Sequence, residues 1–284
     1  MAIATLPGVT GPQLLQMLDG AHSALRNVRV RASTGLDLYN AYLAWSALQM
    51  RMLRYTLTTE SLNRLVTTRR HWALLSLDPA GKGNNLALLV EVELDSQLRA
   101  LEIAMVEVRR DLKRHATVDA FVVPDTNVFI HAPVPFDELA WDTTAQAGQA
   151  HLRLLVPMMV IDELDGLKNR GTGTVSDASK EPVRSRARTT LRILERLLAE
   201  PAEPVILTPE SRPAVSLMVL FDDPDHARLL DADSEIIDRT RTVADATGKA
   251  ATVASYDLGM RLRARMAGLE TVDPPTARSG AVPT

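Results

Sequence analysis

A parallel-sheet α/β domain preceded by an all-helical module is the architecture this sequence predicts, and three observations predict it. Up to about residue 116 the apolar residues recur at helical spacing. Beyond that point, short apolar runs rich in Val, Ile and Leu alternate with amphipathic helical stretches, the texture of βα units. Acidic residues stand at or just after several of these runs, and in an open α/β sheet the ligand site lies beyond the carboxyl ends of the strands.

The 284 residues suffice for two ordinary domains. The change of texture divides them into a helical module, 1–116, and an α/β domain, 117–273, with 274–284 as a disordered tail built on a Pro-Pro pair and small polar residues. The absence of cysteine excludes a disulfide framework and a thiolate metal site, and six scattered His residues show no metal-ligand spacing. With no basic leader and no apolar run of membrane-spanning length, a cytosolic location without membrane association is the default expectation. A net charge of -3 conceals an asymmetry. Residues 1–116 hold 14 Lys+Arg against 10 Asp+Glu, whereas the remainder holds 18 against 25. An acidic surplus of that size repels phosphates unless cations or a local basic patch offset it.

In the module, Leu14, Leu15, Leu18, Ala24 and Leu25 mark a first helix. Leu43, Leu48, Met52, Leu53 and Leu57 mark a long second one from about Leu36 to Leu77. Asp78-Pro79-Ala80-Gly81-Lys82-Gly83 is a turn; it lacks the spacing of a phosphate-binding loop. A third helix runs from near Asn84 to Lys113, with Leu98, Leu101, Ile103, Val106 and Val108 inside and Glu91, Glu93, Arg99, Arg109 and Arg110 outside. The set forms a small antiparallel bundle, suited to pairing with itself or with another protein.

In the second domain, Phe121-Val122-Val123-Pro124 is a short buried strand that delivers Asp125 to a sheet edge. Taken alone, Asp125 reads equally as the cap of the next helix. Residues 133–149 form a loop with room for one short helix. Leu152–Val156 is a second strand, followed by a helix on which Ile161, Leu164 and Leu167 make one apolar face. Glu163 borders that face beside Leu167, Asp162 points away and Asp165 lies at the other edge. A polar loop, 169–176, comes next. Arg184, Arg188, Arg192 and Arg196 then repeat every four residues opposite Leu191, Leu194, Leu197 and Leu198. Such a strip is either a solvated face or a phosphate-tracking one, and Arg186 and Lys180 add charge to the region. Val205–Leu207 and Val215–Phe221 are strands, 222–226 is a turn, and Asp231-Ala232-Asp233-Ser234-Glu235 opens a helix. Ala250–Ala254 is a strand ending at Ser255-Tyr256-Asp257. A helix closed by Gly268 and a short strand, 269–272, complete the domain.

The acids fall into an order: Asp125 after the first strand, Glu163 on the helix after the second, Asp233 at a helix start, and Asp257 past a late strand. Val123-Pro124-Asp125-Thr126-Asn127, Val160-Ile161-Asp162-Glu163-Leu164, Asp233-Ser234-Glu235-Ile236-Ile237 and Ser255-Tyr256-Asp257 together resemble the PIN domain family over about 119–273. The extended Glu163-Leu164-Asp165-Gly166-Leu167-Lys168 is similar to the branch found in larger RNA-processing nucleases. The resemblance implies a three-layer fold with a parallel central sheet and metal-dependent endonucleolytic hydrolysis of RNA. It implies one or two Mg²⁺ or Mn²⁺ ions held by Asp125, Glu163, Asp233 and Asp257, with Asp231 as an alternative third ligand. Thr126, Asn127 and Ser255 would support the ligands or contact phosphate. The donor types suit such ions, which want carboxylate oxygens and retained waters. A phosphatase with an Asp nucleophile would need a second Asp where Asn127 stands. A non-catalytic RNA-binding scaffold and a toxin-type nuclease held by a partner are the other readings compatible with the sequence.

Overall fold

The computed structural model describes residues 3–30, 32–79, 85–170, 181–200, 203–208, 213–222 and 226–278. Lys180, residues 223–225 and 279–284, and most of the expected turn at 78–83 and loop at 169–176, lie outside the described residues. The chain divides into two compact units, Met1–His115 with Asp245–Gly248, and Ala116–Ala244 with Lys249–Thr284.

The first unit is helical: α1 (Gly11–Val30), α2 (Gly35–Leu53), α3 (Thr59–Leu65), α4 (Arg69–Leu75) and α5 (Leu86–Arg114). The expected long second helix is three helices, because two threonines restart it. Thr58 accepts from the Ser61 amide and Thr68 from the His71 amide, each capping a new helix. Leu18, Leu25, Tyr42, Leu94 and Leu101 are fully buried between the helices. Glu93, expected outside, is buried as well. Its carboxylate accepts from the Thr68 hydroxyl at 2.5 Å and from the Gln97 amide at 2.9 Å, and pairs with Arg70 at 3.4 Å, the company a buried charge requires. Ile103 and Val106, expected inside, face solvent, as do Leu48 and Met52.

The second unit is built on a six-stranded sheet of order β3-β4-β2-β1-β5-β6. The strands are β1 (Ala120–Pro124), β2 (His151–Pro157), β3 (Val205–Thr208), β4 (Ala214–Leu220), β5 (Ala250–Ala254) and β6 (Glu270–Val272). All neighbours are parallel except β3, which pairs antiparallel with β4 at the edge. Between β1 and β2 come α6 (Thr126–His131) and two 3-10 turns, Phe136–Glu138 and Trp141–Thr144. The helices α7 (Met158–Arg170), α8 (Val183–Leu197), α9 (Ala232–Thr247) and α10 (Leu258–Met266) make the remaining connections. The chain steps outward from β1 to β2 and β4, then returns to lay β5 and β6 on the other side of β1. Right-handed crossovers in the two directions place α7 and α8 on one face and α9 and α10 on the other, giving three layers. The reversal falls between β1 and β5, and in such sheets the crevice that takes a ligand opens there.

Two ends of this unit are fixed by local chemistry. Gly268, at φ 80°, ends α10: its amide donates to the Arg265 carbonyl and the Leu269 amide to the Ala264 carbonyl, a pairing that needs a left-handed residue. Residues 274–278, expected in a disordered tail, are anchored instead. The Ala140 amide donates to the Thr276 carbonyl, the Arg278 amide to the Glu138 carbonyl, and Ala277 bridges Leu139. The backbone of the loop before β2 gives this segment its partners.

Candidate active site

The apolar residues of β1 are buried throughout, so the strand holds its last residues firmly at the reversal point. Pro124, which cannot donate, is the final strand residue and pairs in register with Ala254. The Asp125 amide then donates to the Ala254 carbonyl at 3.0 Å, fixing Asp125 against the end of β5. Asp125 as a residue is 2% exposed. One carboxylate oxygen accepts from the Val128 amide at 3.0 Å and caps α6; the other accepts from the Ser255 hydroxyl at 2.5 Å. Asp125 is therefore a cap and a strand-end acid at once. Burial pushes its pKa up to about 6; the bonds from Ser255 and Val128 oppose that shift, and the charges of Asp233 and Asp257 add to it.

Two hydroxyls tie the neighbouring acids to this point. Ser255 accepts from the Asp257 amide at 2.9 Å while donating to Asp125, so the turn after β5 is locked to the end of β1. Asp257 caps α10 through the Gly259 amide at 2.7 Å. Thr126 donates to Glu163 at 2.5 Å, bringing α7 to the residue beside Asp125. The acids flanking Glu163 are engaged elsewhere: Asp162 pairs with Arg228 and Asp165 with Lys168, each at 2.5 Å.

The two acids at the start of α9 differ in role. Asp231 accepts from both the amide and the hydroxyl of Ser234, at 3.0 and 2.6 Å, and these bonds hold its pKa below the usual range. Its carboxylate serves the helix end. Asp233 is the one whose charge acts on Asp125, and it forms an ion pair with Arg263 of α10. A cation taking Asp233 as a ligand must first displace that guanidinium. Both side chains are partly exposed, where such a pair is weak. Arg263→Gln is therefore expected to tighten Mn²⁺ binding by about two- to fivefold, read by calorimetry; unchanged affinity would remove Arg263 from competition with metal.

The carboxylate-only donor set, with Asp125 burdened by two like charges, suits a hard divalent cation. The four acids are not drawn into a ligand cluster in this conformation. Among the described residues, the group whose potential ligand atoms all lie within 4.8 Å of one another is Asp222, His226 and Glu235. Sequence spacing did not show this histidine, because fold proximity rather than periodicity brings it to α9. His226 hydrogen-bonds the buried Glu235 at 2.6 Å, and the Leu229 amide donates to the second oxygen at 2.8 Å. Arg228 holds Asp222 at 2.6 Å. The segment 226–229 is thus fastened across the start of α9, beside Asp162.

On α8, Arg184, Arg188, Arg192 and Arg196 are all exposed, while Ala187, Thr190 and Leu194 are buried. Thr190 bonds the Phe129 carbonyl of α6 at 3.2 Å. Arg196 pairs with Asp137 at 3.4 Å; among the described residues, no ion pair is formed by Arg184, Arg188 or Arg192. Arg186 does not extend the strip. It is 3% exposed and pairs with Glu181 at 3.0 Å.

A family model described as PIN domain matches residues 122–274, more than half of the chain and the whole of the sheet that carries these acids except its first residues. No curated protein matches the chain.

Proposed function

The chain belongs to the PIN domain family, whose members are generally metal-dependent nucleases, and from that premise we propose that it is a metal-dependent endoribonuclease acting at Asp125, Glu163, Asp233 and Asp257. The observation that carries the reading is Asp125: a buried carboxylate at the sheet's reversal point, its pKa raised to about 6 with Asp233 and Asp257 contributing. The like charges of Asp233 and Asp257 weigh on the buried Asp125 in the metal-free fold, an effect that a cation reverses.

Each side chain then has a task. Asp125 is the central ligand, oriented by Ser255 and the Val128 amide. Thr126 aims Glu163. Asp257 is positioned by its cap. Asn127 is exposed beside Asp125 and offers its amide to a phosphate oxygen. Mg²⁺ or Mn²⁺, as one or two ions, would supply Lewis acidity, lowering the pKa of the attacking water and stabilising the leaving oxygen. Arg184, Arg188 and Arg192 track the RNA backbone inside an otherwise acidic domain.

Partner choice belongs to the helical module. Leu88, Val92, Ile103 and Val106 are exposed and fall on one face of α5, a surface fit for a second copy or another protein. No described helix is long and apolar enough to cross a membrane, and a cytoplasmic location accords with an RNA substrate. The Asp233–Arg263 pair favours one rival, a non-catalytic RNA-binding protein that has neutralised its own site.

The purified protein incubated with mixed RNA and single-stranded DNA is expected to cleave RNA in Mg²⁺ or Mn²⁺ and not in chelator, with Asp125→Asn inactive. Cleavage that persists in chelator, or is equal in the variant, would overturn the mechanism. RNA binding without cleavage in any metal would select the scaffold.

A further inference from the structure

Next to the acids lies a cleft of about 630 Å³ whose walls include Asn127, His131, Tyr256, Asp257, Pro274 and Pro275. Its volume lies within the range of small-molecule sites. Asp257 belongs both to this cleft and to the acidic edge, so whatever fills the cleft lies beside whatever sits at the acids.

The walls are built rather than accidental. Arg261 donates to the Ser255 carbonyl at 3.1 Å and also pairs with Asp273. One guanidinium thus clamps the residue before Tyr256 to the residue before Pro274. The far wall is held by the Thr276 carbonyl, which accepts from Ala140, and by the Leu139–Ala277 bridge. Tyr256, by contrast, is 40% exposed. Its ring is a large amphipathic surface left open although both of its neighbours are engaged in bonds.

Charge decides what this cleft accepts. A phosphate would meet Asp257 at the rim, so the phosphate belongs at the acids with a cation. The adjoining lining, with the Tyr256 ring and Pro133, Pro274 and Pro275, suits a planar ring, and Asn127 is a polar group in the same lining. We infer that the cleft takes a nucleobase of single-stranded RNA, stacked on Tyr256, from the nucleotide next to the scissile phosphate. This inference rests on the nuclease reading of the acids. A base paired in a duplex is already stacked and must be extruded to enter, so unpaired RNA is preferred.

The test uses the full chain and fluorescein-labelled single-stranded RNA, with Ca²⁺ in place of Mg²⁺ and binding read by anisotropy. Tyr256→Ala is expected to weaken binding by roughly 5- to 150-fold, the range for loss of one base–aromatic stack. Tyr256→Phe keeps the ring and is expected to stay within about twofold of the parent on the same stacking argument. An abasic residue at one position of the RNA should erase the difference between the parent and Tyr256→Ala, and single-stranded DNA and duplex RNA measured alongside report the sugar and pairing preference. Unchanged melting of Tyr256→Ala confirms that the fold is kept. Equal binding by the parent and Tyr256→Ala, or an alanine penalty that survives every abasic position, overturns the base site. If Mg²⁺-dependent cleavage blocked by Asp125→Asn persists alongside that result, the cleft inference alone falls. No RNA binding or cleavage by the parent would sink both.

Discussion

Asp125→Asn is expected to melt at a higher temperature than the parent protein in metal-free buffer at pH 7.5, and at a lower one in saturating Mg²⁺. The sign follows from the proton. In the folded protein the Asp125 carboxyl titrates near 6, raised from 3.8 chiefly by burial. Between these values the folded state holds more protons than the unfolded state, so stability falls as pH rises and levels off above the folded value. A shift of about two pKa units corresponds to no more than about 3 kcal/mol. Asparagine carries no charge, caps a helix as well as aspartate does, and can still accept from the Val128 amide. The variant therefore escapes the decline, and a gain of about 2 kcal/mol would appear as roughly 4–8 °C. The two proteins should converge near pH 4. A ligand that binds only the folded state adds about 2.7 kcal/mol at a hundredfold excess over its Kd, and only the parent keeps the ligand set to collect it. Parallel melting curves from pH 4 to 8 in chelator would show that Asp125 is not the strained acid; Mg²⁺ stabilisation equal in both would show that it is not a ligand.

How far the sequence reaches depends on whether the deciding force is local. The run ending at Asp125 was legible because complete burial of a parallel strand needs uninterrupted apolar residues, and Gly268 because a helix end demands a left-handed residue. The places of Asp125 and Asp257 were legible as well, since each follows a strand and caps the next helix. The choice between Asp231 and Asp233 was not, because both occupy positions that a helix dipole favours; the Ser234 bonds that occupy Asp231 depend on local geometry. Glu93 was misplaced because a charged residue on a helix reads as solvated, and only tertiary contact reveals Thr68 and Gln97 around it. Arg153 tells the same story from within a strand: it is 2% exposed and bonds Ser216 across the β2–β4 register. The His226–Glu235 and Arg261–Asp273 pairs join residues 9 and 12 apart, too far for either periodicity to predict. The same holds for 274–278, where Pro-Pro suggested disorder and backbone bonds to Glu138, Leu139 and Ala140 supply order.

Replacing Arg184, Arg188 and Arg192 together by alanine is expected to weaken single-stranded RNA binding strongly at low salt and little at high salt. Each arginine that neutralises a phosphate of a single strand contributes about 0.7 to the slope of log affinity against log salt. Three should flatten the slope by about two, which amounts to about 100-fold between 1 M and 0.1 M salt. Arg196 is left in place because Asp137 already engages it, and Arg186 because its buried pair with Glu181 would cost stability if broken. Alanine is the best helix former, and the three side chains are exposed, so α8 should keep its fold and the sheet its stability. The corresponding triple lysine variant separates charge from shape. It should restore the slope, while falling short in affinity if the guanidinium forks bind phosphate in a bidentate manner. Equal affinity of parent and alanine variant at every salt concentration would return these arginines to a solvated face and leave the acidic domain without its phosphate track.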